Sequence, residues 1–211
     1  MFDFDEKKLC SGLFSDVLDS LGYRHQIITG FKKNKDEVSV LGRARTVLIE
    51  TIENKPENIR MGLSFLGNLN KGEILMVKGS NEFAYFGELM TKLSTRQGIG
   101  GVVIDGLTRD TNYTHQPSVT LPIMARGYSP VDIKGRGRVI DTDVEINVDN
   151  IVIEPGTLVY MDNEAICIVP KEIEEEVILK VKEKIKEEDR ITELITNGIS
   201  VSELLETVVE F

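Results

Sequence analysis

Residues 100–106 read Gly-Gly-Val-Val-Ile-Asp-Gly, a continuous apolar run that is closed by a turn. A run of this kind is typical of a strand that is buried on both faces of a parallel sheet. Residues 87–97, just before it, have apolar side chains at helical spacing, and residues 74–77 form another short apolar run. A strand, a helix and a strand within so few residues predict a right-handed parallel crossover.

The chain before this unit predicts two helices separated by a strand. Residues 7–21 carry leucines and a valine at steps of four and end at Gly22, so they predict a helix with a left-handed cap. Residues 38–50 predict a strand. A second helix is expected to begin near Pro56 and to turn three side chains inward, those of Ile59, Leu63 and Leu66.

The chain after residue 118 changes to β patterning. Residues 119–125 predict one strand, and residues 139–149 alternate in a way that predicts a single half-buried antiparallel strand, with Ile140 on its apolar face. The last elements expected are a hairpin of 158–161 with 165–169, a helix from Pro170 to Ile195, and a short helix after Asn197-Gly198. This order predicts a mixed sheet packed with a second sheet and helices.

The composition argues against two classes of binding partner, nucleic acids and membranes. The 211 residues carry a net charge of −10, which disfavours binding to nucleic acid, since phosphates need a basic surface. No apolar run approaches the length of a membrane span, and the N-terminus is acidic where a signal peptide would be basic. Two cysteines far apart in sequence favour a reducing compartment. The expectation is a cytoplasmic protein without membrane or nucleic-acid partners.

Three familiar motifs are rejected. The glycines at 98–101 precede a strand, whereas a dinucleotide fingerprint follows one, so neither NAD nor S-adenosylmethionine is indicated. The acidic residues at 141–145 lack the glycine of a calcium loop and are expected to be a solvated face. His25 and His115 have no metal-ligand companions at suitable spacing.

One constellation suggests chemistry. Glu88 begins the helix of the crossover, and Arg109-Asp110 follows its second strand. Because ligands of open α/β sheets bind at the carboxyl ends of the strands, the three side chains are expected to converge. The free amides of Leu89 and Met90 at the helix start would face an anion. Two carboxylates suit a hydrated divalent cation, and a guanidinium suits a substrate oxyanion. By spacing alone, a structural role for these residues remains an open alternative.

At these residues the sequence resembles the family that holds the regulator of ribonuclease E activity A and the class II 4-hydroxy-4-methyl-2-oxoglutarate aldolases. The family signature is an acidic residue, twenty intervening residues, and Arg-Asp, which Glu88 and Arg109-Asp110 match with Glu in the place usually held by Asp. Matching text extends over nearly the whole chain, at residues 14–19, 42–47, 72–75, 87–90, 102–106, 125–130 and 155–170.

This resemblance implies a swivelling β/β/α fold over residues 1–169, with 170–211 as a helical extension that packs on the same domain or on a neighbouring subunit. The implied assemblies are homotrimers or homohexamers, with the sites at subunit interfaces. It also implies that Glu88 and Asp110 hold Mg²⁺ or Mn²⁺. The backbone of Gly87, Leu89 and Met90 would receive a pyruvyl carboxylate, and Arg109 would contact the C2 oxygen. Together they would stabilise the pyruvate enolate formed when a carbon–carbon bond of a 2-oxo acid breaks.

The resemblance therefore implies a metal-dependent lyase, either an aldolase of the 4-hydroxy-4-methyl-2-oxoglutarate type or an oxaloacetate decarboxylase. Aldolase members tend to carry Asp or Glu three residues after the signature Asp, where this sequence has Tyr113. The aldol substrate and the general base therefore stay open. Arg126 and Arg136 are candidates to neutralise a far carboxylate of the substrate. The alternative function is a non-catalytic regulator that binds another protein through its acidic surface.

Overall fold

The computed structural model describes residues 6–52 and 59–207. Strands β1 to β12 of the described chain are Ile27–Ile28, Lys32–Lys33, Ser39–Thr51, Ile74–Lys78, Ala84–Phe86, Gly101–Thr108, Ile123–Tyr128, Gly137–Thr142, Ile146–Val148, Ile151–Ile153, Leu158–Asp162 and Ile166–Val169. Helices α1 to α6 are Ser11–Ser20, Ile59–Gly67, Glu88–Gln97, Thr111–Thr114, Glu174–Thr196 and Val201–Thr207. Short 3₁₀ turns at Glu6–Lys8 and Lys171–Ile173 precede α1 and α5. The predicted class, mixed α/β with helices flanking the sheets and a helical C-terminal segment, is confirmed.

The long strand β3 joins two parts of the sheet. Its first half pairs antiparallel with β11, and its second half pairs parallel with β4 and antiparallel with β8. The strand order is β1-β12-β11-β3-β4-β6-β7-β2, with β5 attached to β6 and β8 to β3. Strands β9 and β10 form a separate antiparallel pair.

The predicted crossover is confirmed. Strands β4 and β6 lie side by side in parallel, with α3 between them in sequence. Gly98 ends α3 in the left-handed region at φ +72°, as expected of a helix C-cap. Residues 74–77 and 101–104 are all buried, because one face of these strands packs towards α2 and the other packs on the β9–β10 pair. Burial on both faces explains the continuous apolar run.

The C-terminal helix packs on the same chain. Val177, Val181 and Ile185 of α5 are buried in a cluster with Leu13 and Phe14 of α1. The helix predicted from Pro170 to Ile195 is therefore present as α5, which begins at Glu174 after a 3₁₀ turn. Within residues 6–52 and 59–207, no helix combines the length and apolar character needed to cross a lipid bilayer.

The single strand predicted for residues 139–149 is wrong. The chain forms β8 and β9 instead, with a turn between them at Asp143, which has a left-handed φ of +52°. The Asp143 carboxylate is bound at 2.7 Å by Arg45 of β3, and this ion pair supports the turn. In β8 the faces are also reversed, since Val139 is buried while Ile140 is 38% exposed.

Other sequence predictions need smaller corrections. Leu63 is exposed rather than inward, because α2 buries Phe65 and Leu66 instead. Pro56 and the side chain of Ile59 lie outside the described part of the chain. The strand predicted for 119–125 begins only at residue 123, although Val119 and Leu121 are buried.

Candidate functional site

A three-residue strand that the sequence did not predict, β5, brings the start of α3 to the end of β6. Strand β5 pairs parallel with β6, with Phe86 opposite Thr108. The Phe86 carbonyl accepts hydrogen bonds from the Arg109 amide at 2.9 Å and from the buried Thr108 hydroxyl at 2.7 Å. These bonds fix residues 86–88 against residues 108–110, so both halves of the predicted signature lie at one place.

Asp110 connects the two halves directly. Its Oδ2 accepts a hydrogen bond of 2.8 Å from the backbone amide of Glu88, the first residue of α3. A carboxylate at this end of a helix is stabilised by the helix dipole. Asp110 itself has a left-handed backbone conformation at φ +59°, ψ +43°. Such a conformation is uncommon for most residues with a side chain, but aspartate adopts it more readily than most, as Asp143 and Asp149 also do in this chain.

The close approach of these residues requires glycine at position 87. A Cβ atom placed on Gly87 would lie 2.4 Å from Asp110 Oδ2 and 2.8 Å from Arg109 Cγ. Both distances are far shorter than ordinary van der Waals contact. The glycine therefore makes room for the side chains of Arg109 and Asp110.

Two carboxylates surround the guanidinium of Arg109. Its Nη1 lies 3.1 Å from Asp132 Oδ2, and its Nε lies 3.7 Å from Asp110 Oδ2. Sequence reasoning missed Asp132, which lies in an irregular segment after β7 and pairs with β5 through an isolated bridge to Ala84. No periodicity or motif spacing pointed to it.

The Glu88 side chain makes a different contact from its backbone. Its carboxylate pairs with Lys92 one turn later on α3, and this hydrogen bond raises the pKa of Lys92. The Lys92 ammonium also lies 4.7 Å from the centre of the Tyr113 ring. The Glu88 and Asp110 side chains remain 40% and 42% exposed, so both are accessible to a ligand.

A cavity of about 670 Å³ opens beside these groups. Its charged lining residues are Glu88, Arg109 and Asp110. The rest of its lining, here called the neutral wall, is uncharged and consists of Thr111, Asn112, Tyr113, Gln116, Tyr128, Ser129 and Pro130. Partial burial raises the pKa of Tyr128, and its hydroxyl lies 3.1 Å from His115 Nε2.

The predicted anion-binding amides are those of Leu89 and Met90, in the first turn of α3. The first amides of a helix have no partner within the helix. Here the Glu88 amide is bound by Asp110 and the Thr91 amide by the Gly87 carbonyl at 2.9 Å. The Leu89 side chain is 75% exposed, whereas Met90 packs against the core.

Arg126 and Arg136, the two candidates to neutralise the far carboxylate of a substrate, make their contacts outside the cavity lining. Arg126 pairs with Asp105 at 2.8 Å and Asp149 at 2.7 Å, and Arg136 donates to backbone carbonyls of its own segment. Burial alone would raise the pKa of Asp105, but hydrogen bonds from Lys78 and Arg126 outweigh it and lower the pKa. Asp105 therefore belongs to an ion-pair cluster with Lys78 and Arg126.

Comparisons with known proteins give the relationships of the chain. The family model described as Aldolase/RraA, RraA-like, matches residues 12–168. A protein of Halalkalibacterium halodurans, provisionally named a 4-hydroxy-4-methyl-2-oxoglutarate aldolase, is 27% identical over 88% of this chain and 84% of its own length. Protein DlpA of Legionella pneumophila is 22% identical over 93% of this chain, which spans only 32% of DlpA.

The fold is also that of a solved structure in this group. The crystal structure of Streptomyces coelicolor RraAS2, described as an unusual member of the RNase ES inhibitor RraA protein family, superposes with a TM-score of 0.76. The sequences are 22% identical, and the match covers 86% of this chain and 90% of RraAS2. Since the family model covers most of the chain and the architecture agrees, the protein belongs to the RraA-like, Aldolase/RraA family.

Proposed function

We propose that the protein is a divalent-metal-dependent lyase that cleaves a carbon–carbon bond of a 2-oxo acid and releases pyruvate. One observation carries the proposal. Asp110, the amide of Glu88 and the guanidinium of Arg109 meet at a single cavity, although Glu88 and Asp110 are 22 residues apart in sequence. Provisional aldolase names among the relatives support the same reaction class.

The residues present fit Mg²⁺ or Mn²⁺. Mg²⁺ is usually held by one or two carboxylates and completes its shell with water and substrate. Glu88 and Asp110 provide two accessible carboxylates at the cavity. Over the described ranges, no cluster of three or more His, Cys, Asp or Glu is arranged for a metal. Two protein carboxylates alone would leave the other positions of the ion's shell to water and substrate.

The residues of the chain supply most of the proposed catalysis. The amides of Leu89 and Met90 bind the substrate carboxylate at the helix N-terminus. The Arg109 guanidinium donates to the C2 oxygen and stabilises the negative charge that develops there when the C3–C4 bond breaks. Asp132 holds the guanidinium in place through its 3.1 Å contact. A bound Mg²⁺ or Mn²⁺ would add Lewis-acid polarisation of the same carbonyl group.

Two reactions share this chemistry. Decarboxylation of oxaloacetate needs no base, because carbon dioxide leaves without loss of a proton from the substrate. Retro-aldol cleavage also needs a group to take the proton of the C4 hydroxyl. Tyr113 lines the cavity at the position where aldolase members tend to have a carboxylate, so this chain would use another acceptor for that proton.

The direct test is pyruvate formation from oxaloacetate with Mg²⁺ or Mn²⁺, followed with lactate dehydrogenase after subtraction of the protein-free rate. We expect activity that EDTA abolishes and that Arg109→Ala lowers by about 100- to 1000-fold. Arg96→Ala is the matched control, since Arg96 is an exposed arginine in the last turn of α3. Activity that is undiminished by EDTA, or by Arg109→Ala, would overturn the mechanism.

The alternative is a non-catalytic regulator that binds another protein. It is favoured by the acidic net charge of −10 and by the description of RraAS2 as a member of an RNase inhibitor family. A protein inert towards several 2-oxo acids that forms a stable complex with an RNase E-type enzyme would support this function. We favour the lyase because the cavity is lined by two carboxylates and an arginine.

We also propose that the protein is a homo-oligomer, either a trimer or a hexamer. Leu63 of α2 and Leu89 and Leu93 of α3 are exposed by 42%, 75% and 41%. Leu63 and Leu93 line one surface depression, and exposed leucines grouped in this way are typical of an interface. Light scattering coupled to size exclusion tests this assembly, and Leu89→Glu should shift the mass towards a monomer.

A further inference from the structure

The Lys92 ammonium lies at the edge of the cavity. It donates a hydrogen bond to the Glu88 carboxylate, one turn earlier on α3, and lies 4.7 Å from the centre of the Tyr113 ring. Glu88 and Tyr113 both line the cavity, although Lys92 itself is not among the described lining residues. Its side chain is 51% exposed. Lys92 therefore brings a positive charge, on a flexible side chain, next to the charged lining and next to the neutral wall.

The Glu88 carboxylate has two cations that compete for it. It pairs with Lys92 in this structure, and it is one of the two carboxylates that we propose to hold Mg²⁺ or Mn²⁺. A bound metal ion is the largest local charge in a site, so a carboxylate that holds the ion has little charge left for a neighbouring ammonium. The ion and the ammonium also repel each other. Occupation of the proposed metal site would therefore release Lys92 from Glu88.

The other charges at the cavity are matched once the ion is included. Arg109 lies 3.1 Å from the Asp132 carboxylate, and the two positive charges of the ion match the negative charges of Glu88 and Asp110. The pyruvyl carboxylate of the substrate is assigned to the backbone amides at the start of α3. Among these described groups, Lys92 is the cation that is left without a carboxylate.

A second lysine lies against the cavity lining at another place. Lys32 Nζ is 5.3 Å from the centre of the Tyr128 ring, and Tyr128 lines the cavity. Occupation of Glu88 leaves this contact of Lys32 unchanged, whereas it removes a partner of Lys92. Lys92 is therefore the better candidate for a charge that becomes available only in the loaded site, and Lys32 is the alternative that an experiment must exclude.

Assembly of the chain does not remove the contacts of Lys92. Glu88, Lys92 and Tyr113 belong to one chain, and Leu89 and Leu93, which we propose to lie at an interface, are the next residues after Glu88 and Lys92 on α3. A second copy packed on these leucines would reduce the access of water to the ammonium. Because charges interact more strongly where water is excluded, a pairing between Lys92 and a carboxylate would be stronger in the assembled protein.

We propose that Lys92 is a specificity-determining residue, which leaves Glu88 for the second carboxylate of a 2-oxo dicarboxylic acid when a divalent cation is bound. The inference rests on the proposed lyase function and names the substrate class of the same site. Oxaloacetate and aldol substrates of the 4-hydroxy-4-methyl-2-oxoglutarate type both belong to this class. An ammonium can change partners in this way because it is a compact charge with three donors on a four-carbon chain.

Competition for Glu88 is measurable without a substrate. Lys92→Met keeps a long side chain that suits a helix but removes the charge, so we expect the full chain to bind Mn²⁺ about threefold more tightly in titration calorimetry. Lys186→Met is the matched control, because it removes the same charge at an exposed position of α5 and should leave the affinity unchanged. An affinity for Mn²⁺ that is equal or lower in Lys92→Met overturns the inference.

Pairing with a second carboxylate is measurable with two unreactive acids at saturating Mn²⁺. The acids 2-oxoglutarate and 2-oxopentanoate have equal chain lengths, and only the first has a second carboxylate. We expect the unsubstituted protein to bind 2-oxoglutarate about fivefold more tightly than 2-oxopentanoate. Lys92→Met should lose most of this preference, and Lys92→Arg, which retains the charge, should keep it.

The control variants assign the preference to one lysine. Lys32→Met and Lys186→Met should both keep the preference for 2-oxoglutarate. A preference that is lost in Lys32→Met and kept in Lys92→Met belongs to Lys32 and overturns the inference. A preference that all three variants keep comes from another group, of this chain or of a second copy, and overturns it as well. So does equal binding of the two acids by the unsubstituted protein.

Oxaloacetate gives a kinetic readout that a merely structural role would not give. Its C3–C4 bond breaks, the electron pair moves to C3 and the C2 oxygen, and the second carboxylate leaves as uncharged carbon dioxide; protonation at C3 then gives pyruvate. The pairing with Lys92 is therefore stronger in the bound substrate than in the transition state. We expect Lys92→Met to raise KM about threefold without lowering kcat. A lower kcat in this variant overturns the inference.

Failure of the inference and failure of the proposed function give different results. The two binding experiments need no turnover, so they decide the role of Lys92 even if the protein cleaves no 2-oxo acid. Oxaloacetate turnover that requires Mn²⁺ and Arg109 decides the lyase function, whatever the result for Lys92→Met.

Discussion

The Asp110 carboxylate accepts a hydrogen bond from the Glu88 backbone amide at 2.8 Å. This bond connects the residues that follow β6 with the start of α3. The carboxylate of Asp110 has two roles. One oxygen stabilises the helix N-terminus. The carboxylate as a whole supplies negative charge at the cavity, where we propose that it holds a divalent cation.

The two tasks of Asp110 can be separated by substitution. Asp110→Asn keeps an oxygen that can accept the Glu88 amide but loses the charge, so we expect Mn²⁺ affinity to fall by at least about tenfold with little change in stability. Asp110→Ala should lose about 1 kcal/mol of stability as well. Titration calorimetry and thermal unfolding measure the two effects. Unchanged Mn²⁺ affinity in Asp110→Asn would remove Asp110 from the site.

Gly87→Ala should displace the side chains of the site. The new Cβ would lie 2.4 Å from Asp110 Oδ2, so Asp110 and Arg109 must move, and we expect a loss of about 1–3 kcal/mol in stability together with loss of activity. Gly67→Ala is the control, because nothing lies within 4 Å of its Cβ and alanine favours helix. Full activity in Gly87→Ala would show that the close approach is not needed.

Asp105 should make the free energy of unfolding depend on pH in acidic solution. Its pKa is lowered by hydrogen bonds from Lys78 and Arg126. A carboxyl group with a lowered pKa in the folded state adds stability above its unfolded value of about 3.9, and this stability is lost as the pH falls through the folded value.

Urea unfolding between pH 3 and pH 7 checks this dependence. Asp105→Asn should be less stable than the unsubstituted protein at pH 7, and the difference should shrink towards pH 3. Asp19→Asn replaces an exposed carboxylate of α1 and should be as stable as the unsubstituted protein at both pH 3 and pH 7. A constant difference for Asp105→Asn at all pH values would contradict the assigned ion pairs.

The C-terminal helix should contribute to the stability of the whole chain. We propose that residues 1–169 form the family domain and 170–211 a helical extension. Because Val181 is fully buried against α1, Val181→Ala should cost about 2 kcal/mol. Leu179→Ala, at a side chain that is 57% exposed, should cost far less. Equal costs, measured by urea unfolding, would mean that the helix does not pack as described.

Much of the fold was predictable because its strongest signals are local. The strands β4 and β6 are buried on both faces, so their apolar runs are continuous, and α3 between them ends at a glycine in the left-handed region. The alternation of residues 139–149 was misleading, because alternation does not reveal a turn. The backbone bends at Asp143, which has a left-handed φ, and its side chain pairs with Arg45 of another strand.

The candidate site was predictable only in part. The signature spacing identified Glu88, Arg109 and Asp110, which do meet at one cavity. Strand β5 is only three residues long, which is too short to show an alternation of apolar and polar residues in the sequence. This strand nevertheless brings Glu88 next to Arg109-Asp110. The pairing of Asp132 with Arg109 depends on tertiary contact between segments without a shared motif.

The most direct test of the central claim is a crystal structure of the protein soaked with Mn²⁺ and pyruvate. The account predicts an anomalous manganese peak beside Asp110 and Glu88, with the pyruvate carboxylate at the amides of Leu89 and Met90 and its C2 oxygen at Arg109. A manganese ion bound elsewhere, or pyruvate absent from this cavity at saturating concentration, would contradict it.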